Sequence, residues 1–434
     1  MKYYSTRNKN YIVDFRTAVM DGLSKDGGLF MPAEIPALPQ SFIGELEKLS
    51  FEEIGFEIAK RFVEGEINLA DLHVIINEAI NFPAPLVKLS EELSALELFH
   101  GPTLAFKDFG ARFMAKTMGH FVKGSSKQLN ILVATSGDTG SAVAYGFYNV
   151  EGINVYLLYP SGKVSEIQEK QLTTLDKNIT ALEINGTFDD CQRLVKDAFV
   201  DKDLNEKLNL SSANSINIAR LIPQSFYYVN AFRQIKDKSL PIIISVPSGN
   251  LGNITAALFA KMMGMPFAKL IGATNRNDVF TEYMNTAKFN PRKSVLTLSN
   301  AMDVGNPSNL ERIIELYDRD IDSIRRDINS TSYNDEQTKL AIAEVFEKYN
   351  YVIEPHGAVG YNAYINYVRR NNLKNVNGII VETAHPAKFK DVVEEMIGKE
   401  IEIPARLAVC LDKEKKAIKL DNRFDTLKSF LMNG

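Results

Sequence analysis

Short apolar runs alternate with stretches of helical periodicity over the last 300 or so residues of the chain. Six largely apolar runs of five or six residues predict buried strands, because each is too short for a helix and continuous enough for a parallel sheet. They are 131–135, 155–159, 179–184, 242–246, 270–274 and 378–382. Helical periodicity predicts helices between them, at 189–200, 253–263 and 335–349. This alternation predicts an α/β protein whose parallel sheets are covered by helices.

The first 95 residues have a different pattern, in which apolar positions recur at helical spacing. The segment 50–63 places Phe51, Ile54 and Ile58 on one face behind a possible N-cap at Ser50. The segment 69–79 repeats the pattern. We therefore expect three domains: a mainly helical N-terminal domain (1–95), a smaller α/β domain (96–236) and a larger one (237–434).

Composition narrows the class of protein. The chain has 434 residues, is 45% hydrophobic and carries a net charge of −4, which argues against a nucleic-acid binder that neutralises many phosphates. Cys191 and Cys410 are too few for a disulfide framework. The first ten residues lack the apolar core of a signal peptide, and charged residues interrupt the most apolar window, 256–273. We expect a cytoplasmic protein with no membrane partner.

Three predicted strand ends lead into small polar segments, at 135–141, 247–253 and 382–386. Glycines allow backbone N–H groups to approach an anion closely, and a following helix N-terminus adds unpaired donors. Neither the Walker pattern nor the full dinucleotide fingerprint is present in them. One such segment is most simply a tight turn with an N-cap, whereas three behind three strands indicate a phosphate-binding site.

Lys107 lies where a loop leads into a predicted helix at 108–118, between Phe106 and Phe109. Apolar surroundings near a helix N-terminus disfavour the ammonium ion and lower the pKa of a lysine, as imine formation requires. Lys107 is therefore a candidate nucleophile.

The sequence argues against two other chemistries, metal binding and serine hydrolysis. His100, His356 and His385 lie in loops with glycine or proline, but no metal-binding element such as HExxH or CxxC accompanies them, so we expect no metal site. A serine hydrolase would need a G-x-S-x-G elbow, which the chain lacks.

Taken together, these segments resemble the threonine synthase family, pyridoxal-phosphate enzymes with the tryptophan-synthase-β-like (type II) fold. The segments HGPTLAFKDFGARF, ATSGDTGSA, VPSGNLGN, NSINIAR and ETAHPAKF occur in the family's order. YYSTRN and GLSKDGGLFMP near the N-terminus also match, so the resemblance covers nearly the whole chain. It implies two parallel-sheet α/β domains with the cofactor between them and an extra, mainly helical N-terminal domain.

The resemblance also implies how the cofactor, pyridoxal 5′-phosphate, is held. Lys107 matches the lysine that forms a Schiff base with it, and Thr383 matches the hydroxyl that contacts its pyridine nitrogen. A neutral partner at that nitrogen implies a ring that is not strongly protonated. The residues that match the cofactor-phosphate loop are Ser248, Gly249, Asn250, Leu251, Gly252 and Asn253.

Other matching residues are implied to bind the substrate. They are Thr135, Ser136, Thr139, Asn214, Ser215 and Arg220, of which the last three match a substrate-phosphate pocket. Asp138 departs from the wider fold group, in which an asparagine contacts the phenolic oxygen of the cofactor. Asp138 is counted among the cofactor-binding residues at this oxygen, where an aspartate would repel a phenolate unless it is protonated or turned away. No role is implied for the three histidines.

The implied reaction is that of a lyase in threonine biosynthesis: O-phospho-L-homoserine and water give L-threonine and phosphate. A dehydratase or a cysteine-synthase-like enzyme of the same fold is the nearest alternative, but neither needs the 214–220 segment. A non-catalytic sensor of phosphorylated metabolites is a second alternative, and it has no use for an imine-forming lysine. Relatives with the N-terminal region suggest a monomer, with a dimer as the alternative.

Overall fold

The structure is a computed structural model that describes residues 1–135 and 137–433. Ser136, one of the predicted substrate-binding residues, lies outside the described residues. The strands within the described residues are, in chain order, β1 (Lys2–Ser5), β2 (Asn8–Asp14), β3 (Phe30–Pro32), β4 (Leu86–Lys88), β5 (Leu93–Glu97), β6 (Leu129–Ala134), β7 (Ile153–Pro160), β8 (Ile179–Asn185), β9 (Asn209–Ser212), β10 (Ile242–Pro247), β11 (Phe267–Thr274), β12 (Ile328–Ser332), β13 (Asn377–Glu382) and β14 (Ile418–Asp421).

The α-helices within the same residues are α1 (Phe15–Asp21), α2 (Gln40–Glu45), α3 (Phe51–Phe62), α4 (Leu69–Ala79), α5 (Lys107–Val122), α6 (Asp138–Phe147), α7 (Glu166–Thr173), α8 (Phe188–Val200), α9 (Lys202–Lys207), α10 (Ile218–Leu221), α11 (Gln224–Gln234), α12 (Gly252–Met262), α13 (Val279–Thr286), α14 (Leu310–Leu316), α15 (Ile321–Asp327), α16 (Asp335–Tyr349), α17 (Pro355–Arg370), α18 (Lys390–Ile397), α19 (Ala405–Leu411) and α20 (Phe424–Asn433). Short 3-10 helices lie at Leu46–Lys48, Asn300–Met302 and Pro386–Phe389.

The predicted strands and helices are confirmed, with bounds that differ by a few residues. The run 131–135 lies in β6 and 242–246 in β10, and every residue of both strands is buried, as a continuous apolar run predicts. Ser50 is the N-cap of α3 and forms a capping box, in which the Glu53 N–H donates to Ser50 Oγ at 3.1 Å and the Ser50 N–H donates to Glu53 Oε2 at 2.7 Å.

The N-terminal part also contains a small antiparallel sheet, in the order β2-β1-β3, that the helical periodicity did not predict. It joins YYSTRN to the segment around Met31 through the pair Tyr4 and Met31. Tyr3 from this sheet is fully buried, and its hydroxyl donates to the Phe62 carbonyl at 2.8 Å, which ties the sheet to α3.

Two larger sheets carry the rest of the fold. One has five parallel strands in the order β14-β8-β7-β6-β9. The other has six strands in the order β12-β11-β10-β13-β5-β4, all parallel to their neighbours except β4. Helices such as α17, which packs on β10, β11 and β13, cover these sheets. The α/β prediction is confirmed.

The chain crosses between the two large sheets three times: after β5, after β9 and after β13. As a result, β5 lies beside β13 although most of that sheet comes from later in the chain, and β14 returns to the five-stranded sheet. The polar segments 135–141, 247–253 and 382–386 follow the carboxyl ends of β6, β10 and β13. Ligands of open parallel sheets bind at these ends.

No helix within residues 1–135 and 137–433 is both long and apolar enough to cross a membrane.

Candidate active site

Lys107 is the first residue of α5, and a strand-like contact with the segment after β13 fixes its position. Ala105 and Ala384 form an antiparallel bridge, the Phe106 N–H donates to the Thr383 carbonyl at 2.9 Å, and the His385 N–H donates to the Leu104 carbonyl at 3.1 Å. This pairing brings two predicted site residues, Lys107 and Thr383, to the same place although 276 positions separate them in the chain.

The environment of Lys107 favours a neutral amine. Burial lowers the pKa of Lys107, and the positive charges of Lys388 and Arg220 lower it further, while Asp138 and Glu354 act in the opposite direction. Its Nζ lies 3.9 Å from Asp138 Oδ2 and 5.1 Å from the centroid of the Phe106 ring. Lys107 therefore has the low-pKa setting that its apolar flanks predict for a nucleophile.

Asp138, the first residue of α6, carries its charge within a buried group of polar side chains. Its Oδ1 accepts from Lys388 Nζ at 2.5 Å and from Gln168 Nε2 at 3.1 Å. Burial alone would raise the pKa of Asp138, but Lys388 and Lys107 outweigh it and hold that pKa well below its usual range. The carboxylate is thus ionised and points one oxygen at each lysine.

Thr383 stands in front of a buried carboxylate that the sequence did not reveal. Its hydroxyl donates to Glu354 Oε1 at 3.1 Å, and Glu354 Oε2 accepts from the backbone N–H and from Nδ1 of His356, both at 2.6 Å. His356 Nε2 accepts from the Ala301 N–H at 3.1 Å, so its ring proton is on Nδ1. Thr383 thus keeps its oxygen lone pairs free to accept from a ligand.

The loop 248–253 turns sharply from β10 into α12. Leu251 adopts the left-handed conformation (φ 61°), which is uncommon for a leucine and completes the turn. A Cβ added to Gly249 would lie 2.7 Å from Met302 Cα, so only glycine fits there. The first turn of α12 contains no acidic residue, and its leading amides have no acceptors within the helix. The loop therefore offers free donors and a positive helix end to an anion.

Neighbouring segments brace this loop from outside. Asn250 Nδ2 donates to Ser215 Oγ at 2.5 Å, and Asn250 Oδ1 accepts from the Ser308 N–H at 2.6 Å. The contact with Ser215 places the predicted substrate-phosphate segment directly against the predicted cofactor-phosphate loop. The two anion sites suggested by the sequence are therefore neighbours.

Asn253 has a buried donor with no partner. Its Oδ1 accepts from Tyr227 and Tyr228 hydroxyls at 2.5 and 2.7 Å, while its Nδ2 has no hydrogen-bond partner among the described residues. Because an unpaired buried donor is costly, it is suited to a ligand oxygen.

Two buried guanidinium groups lie near the same loop. Arg220 Nη1 donates to the Ala213 carbonyl at 2.6 Å, while its Nε has no partner among the described residues, and burial lowers the pKa of Arg220 to about 10. Arg312 is fully buried and donates to the carbonyls of Phe30 and Ile216 at 3.0 and 2.6 Å. Both bring positive charge into the interior, which an anionic ligand would offset.

The other predicted substrate-binding residues differ in their exposure and in whether their polar side-chain atoms already have hydrogen-bond partners. Thr135 Oγ1 is already used inside its own loop, where it accepts from the N–H groups of Gly137 and Gly140 at 3.0 and 2.8 Å. Thr139 is partly exposed on the first turn of α6. Asn214 has a buried Oδ1 without a partner among the described residues.

The remaining two histidines lie near this region. His100 Nε2 is 2.7 Å from Glu97 Oε2, and burial, with the charge of His100, lowers the pKa of His385 to about 4. His385 Nδ1 accepts from the Ala387 N–H at 3.1 Å, so it caps the short helix that carries Lys388. Among residues 1–135 and 137–433, no group of three or more possible ligand residues could hold a metal ion.

Sequence reasoning missed Lys388, Glu354, Gln168 and Arg312. Lys388 and Glu354 had a detectable signal, since one lies in the ETAHPAKF segment behind a strand and the other precedes proline and glycine at a helix start. Gln168 and Arg312 lie in ordinary helical sequence, and only the tertiary structure brings them to the site.

Three family models cover almost the whole chain. The model described as pyridoxal-phosphate dependent enzyme matches residues 80–381, and those described as threonine synthase N terminus and threonine synthase, C-terminal match 2–80 and 357–431. The chain belongs to the threonine synthase family of pyridoxal-phosphate-dependent enzymes. The family resemblance, the fold class and the cofactor predicted from the sequence are confirmed.

Relatives in this family are similar along their full length. The threonine synthases of Haemophilus influenzae and Escherichia coli are 44% and 41% identical to the chain, with 100% of each chain covered. The crystal structure of the E. coli threonine synthase matches with a TM-score of 0.93, again with 100% of both chains covered. The structure of pyridoxal-phosphate-bound threonine synthase from Brucella melitensis matches with a TM-score of 0.92 at 33% identity, covering 100% of this chain and 99% of that one.

Proposed function

We propose that the protein catalyses the conversion of O-phospho-L-homoserine and water to L-threonine and phosphate. The observation that carries this proposal is the placement of Lys107, a largely buried lysine with a lowered pKa, between Asp138 and the Thr383 segment in a chain of the threonine synthase family. Within it, Lys107 is the catalytic residue.

The residues present fit pyridoxal phosphate. Its phosphate would be held by Ser248, Gly249, Asn250, Leu251, Gly252 and Asn253, because the start of α12 lacks acidic residues and Asn253 Nδ2 has no partner within residues 1–135 and 137–433. Thr383 would contact the ring nitrogen through its hydroxyl, which donates to Glu354 Oε1 in this structure. A ring nitrogen without a proton would need this hydroxyl to turn and donate to it. When bound, the cofactor acidifies the Cα–H of an amino acid joined to its aldehyde carbon by delocalising the electron pair into its ring.

Lys107 then moves protons. Once the substrate amine has displaced it from the cofactor, Nζ is free, and the lowered pKa leaves it unprotonated at a lower pH than an ordinary lysine. In this role Lys107 takes a proton from Cα and later one from Cβ. The Cγ–O bond breaks with release of phosphate, and a proton delivered to Cγ makes it the methyl carbon. Water then adds its oxygen to Cβ and gives its other proton to the released phosphate, and a second returned proton, at Cα, completes threonine.

The substrate phosphate is assigned to the segment beside the cofactor loop. Asn214, Ser215 and Arg220 would bind it, with Thr135, Ser136 and Thr139 near the substrate carboxylate and phosphate. Support comes from Ser215, which contacts Asn250, and from Arg220 Nε, a buried donor without a partner among the described residues. A guanidinium fork suits a phosphoryl group, because it can donate two parallel hydrogen bonds.

The proposal also covers the location of the protein, its oligomeric state, its partners and its domain boundaries. We infer a cytoplasmic monomer that binds a small-molecule substrate and neither nucleic acid nor membrane, and whose chain divides at residues 95 and 236. The net charge of −4 supports the absence of a nucleic-acid partner. Light scattering of the purified protein decides between the monomer and the alternative dimer.

An assay of two products tests the reaction. Purified protein with pyridoxal phosphate and O-phospho-L-homoserine is expected to release phosphate and threonine in equal amounts. Incubation with threonine tests the dehydratase alternative, which would release a 2-oxo acid and ammonia. Lys107→Ala is expected to abolish both products, whereas Lys116→Ala, on the surface of the same helix, retains activity. Absence of threonine from the wild-type reaction would refute the proposed function.

A further inference from the structure

Lys388 is buried to an extent that is rare for a lysine. Its side chain has no exposed surface, and it comes from the short helix Pro386–Phe389 after β13. Its Nζ lies 2.5 Å from Asp138 Oδ1 and donates to the Thr103 carbonyl at 3.1 Å. A buried ammonium ion is tolerated only with a partner of opposite charge, so Lys388 and Asp138 depend on each other.

The pair divides the two oxygens of Asp138 between two lysines. Lys388 and Gln168 occupy Oδ1, while Oδ2 lies 3.9 Å from Lys107 Nζ. Pyridoxal phosphate carries its phenolic oxygen on the ring carbon adjacent to the one that bears the aldehyde, so this oxygen would lie close to the lysine that binds the aldehyde. A lone carboxylate beside Lys107 would repel a negative phenolic oxygen and hold Lys107 in its charged form.

Resting on the proposed function, we propose that Lys388 is a positioning residue that neutralises Asp138, so that the two form one neutral unit beside Lys107. Without Lys388, the charge of Asp138 would act on Lys107 alone. Without Asp138, Lys388 would be a second unpaired cation next to it. The unit thereby sets the pH at which Lys107 becomes a free amine able to bind the cofactor.

Other charged groups face Lys107 from the elements around it, and they remain in every variant. Arg220 from α10 lowers the pKa of Lys107 and Glu354 at the start of α17 raises it. The ring of His356, a further titratable group in this cluster, donates to Glu354 from Nδ1. Changes that result from removal of Lys388 or Asp138 are therefore measured against a constant background.

The test uses apoprotein and the rate at which added pyridoxal phosphate develops its visible lysine-bound absorbance, measured across pH. The variants are Lys388→Met, Asp138→Asn and the double variant, with Lys390→Met as a control that removes a nearby, partly exposed lysine. Lys388→Met removes a like charge, so the midpoint moves to higher pH. Asp138→Asn removes an opposite charge, so the midpoint moves to lower pH. Each shift is expected to be about one pH unit.

The double variant shows whether Lys388 and Asp138 act together as a neutral unit or have two separate structural roles. We expect its midpoint within a few tenths of a pH unit of wild type, and its apoprotein to unfold at a higher temperature than either single variant. Shifts of both single variants in one direction, no shift for Lys388→Met, or a double variant no closer to wild type would overturn the inference.

The double variant also tests the inference if the single variant Lys388→Met fails to fold. If Lys388→Met does not fold, a folded double variant with a midpoint near wild type supports the inference, and an unfolded double variant overturns it. Wild-type protein that binds cofactor without producing threonine would refute the proposed function. The pH midpoints of cofactor binding could still be compared between the variants in that case.

Discussion

The loops that follow β6 and β10 have similar sequences, TSGDTGS and PSGNLGN, but differ in what lies at the helix N-terminus. In the first, Asp138 occupies the first turn of α6, and its partner Lys388 offsets its charge. In the second, the first turn of α12 has no acidic residue and contains Asn253 Nδ2, a donor without a partner in the part of the chain that the structure describes. An acidic residue in the first turn weakens the attraction of a helix end for a phosphate, whereas a first turn without one leaves that attraction intact.

The two loops are also braced differently. Thr135 holds the first loop from inside through the N–H groups of Gly137 and Gly140. The second loop is held from outside, by Ser215 and Ser308 through Asn250. Changes in the second loop should therefore act mainly on the cofactor, and loss of the Thr135 hydroxyl from the first mainly on stability.

The largest effect is expected for Gly249→Ala. The new Cβ would lie 2.7 Å from Met302 Cα, and backbone there cannot move away as a flexible side chain would. A cost of about 3 kcal/mol is expected, which corresponds to roughly a hundredfold weaker binding of pyridoxal phosphate by apoprotein. Gly44→Ala is the matched control, because nothing lies within 4 Å of its added Cβ. Unchanged affinity in Gly249→Ala would show that this loop does not hold the cofactor.

Asn253→Asp would place an acidic residue in the first turn of α12, as Asp138 does in the first turn of α6. An aspartate keeps the oxygen that accepts from Tyr227 and Tyr228, but it loses the free donor and adds a negative charge at the start of α12. We expect affinity for pyridoxal phosphate to fall by about 2 kcal/mol, or roughly thirtyfold. The exposed Asn285→Asp change serves as the control. Equal affinity in both variants would contradict the assignment of the phosphate to α12.

The smallest effect on the cofactor is expected for Thr135→Val. Removal of the hydroxyl leaves two buried N–H groups without their acceptor, so the free energy of unfolding should fall by about 1–2 kcal/mol. Denaturant unfolding of apoprotein measures this loss. Affinity for pyridoxal phosphate should change by less than about threefold. If Thr135→Val lost more free energy of cofactor binding than free energy of unfolding, the proposed difference between the two loops would be wrong.

Much of the fold was predictable because its strands are short, apolar and fully buried, as β6 and β10 show. The antiparallel sheet near the N-terminus was not, since β2 is a partly exposed run of mixed polarity. The pairing of β5 with β13, and of β14 with β8, also escaped prediction, because periodicity indicates a strand but not its distant neighbour. The division at residues 95 and 236 stays a prediction.

At the site, Lys107 was predictable from its apolar flanks and the family resemblance. The effect of Asp138 was not, because it depends on Lys388, which lies 250 positions away in the chain. The interpretation of Thr383 as a neutral partner of the ring nitrogen likewise lacked Glu354, a carboxylate one hydrogen bond behind it. In both cases the missing information was a buried charge brought in by tertiary structure.

The central claim is that Lys107, and not the more deeply buried Lys388, binds the cofactor. Treatment of the wild-type protein and pyridoxal phosphate with borohydride, followed by digestion and mass spectrometry, tests it directly. We expect the reduced cofactor on the peptide that contains Lys107, and loss of the label in Lys107→Ala. A label on Lys388, or none on either lysine, would contradict the account.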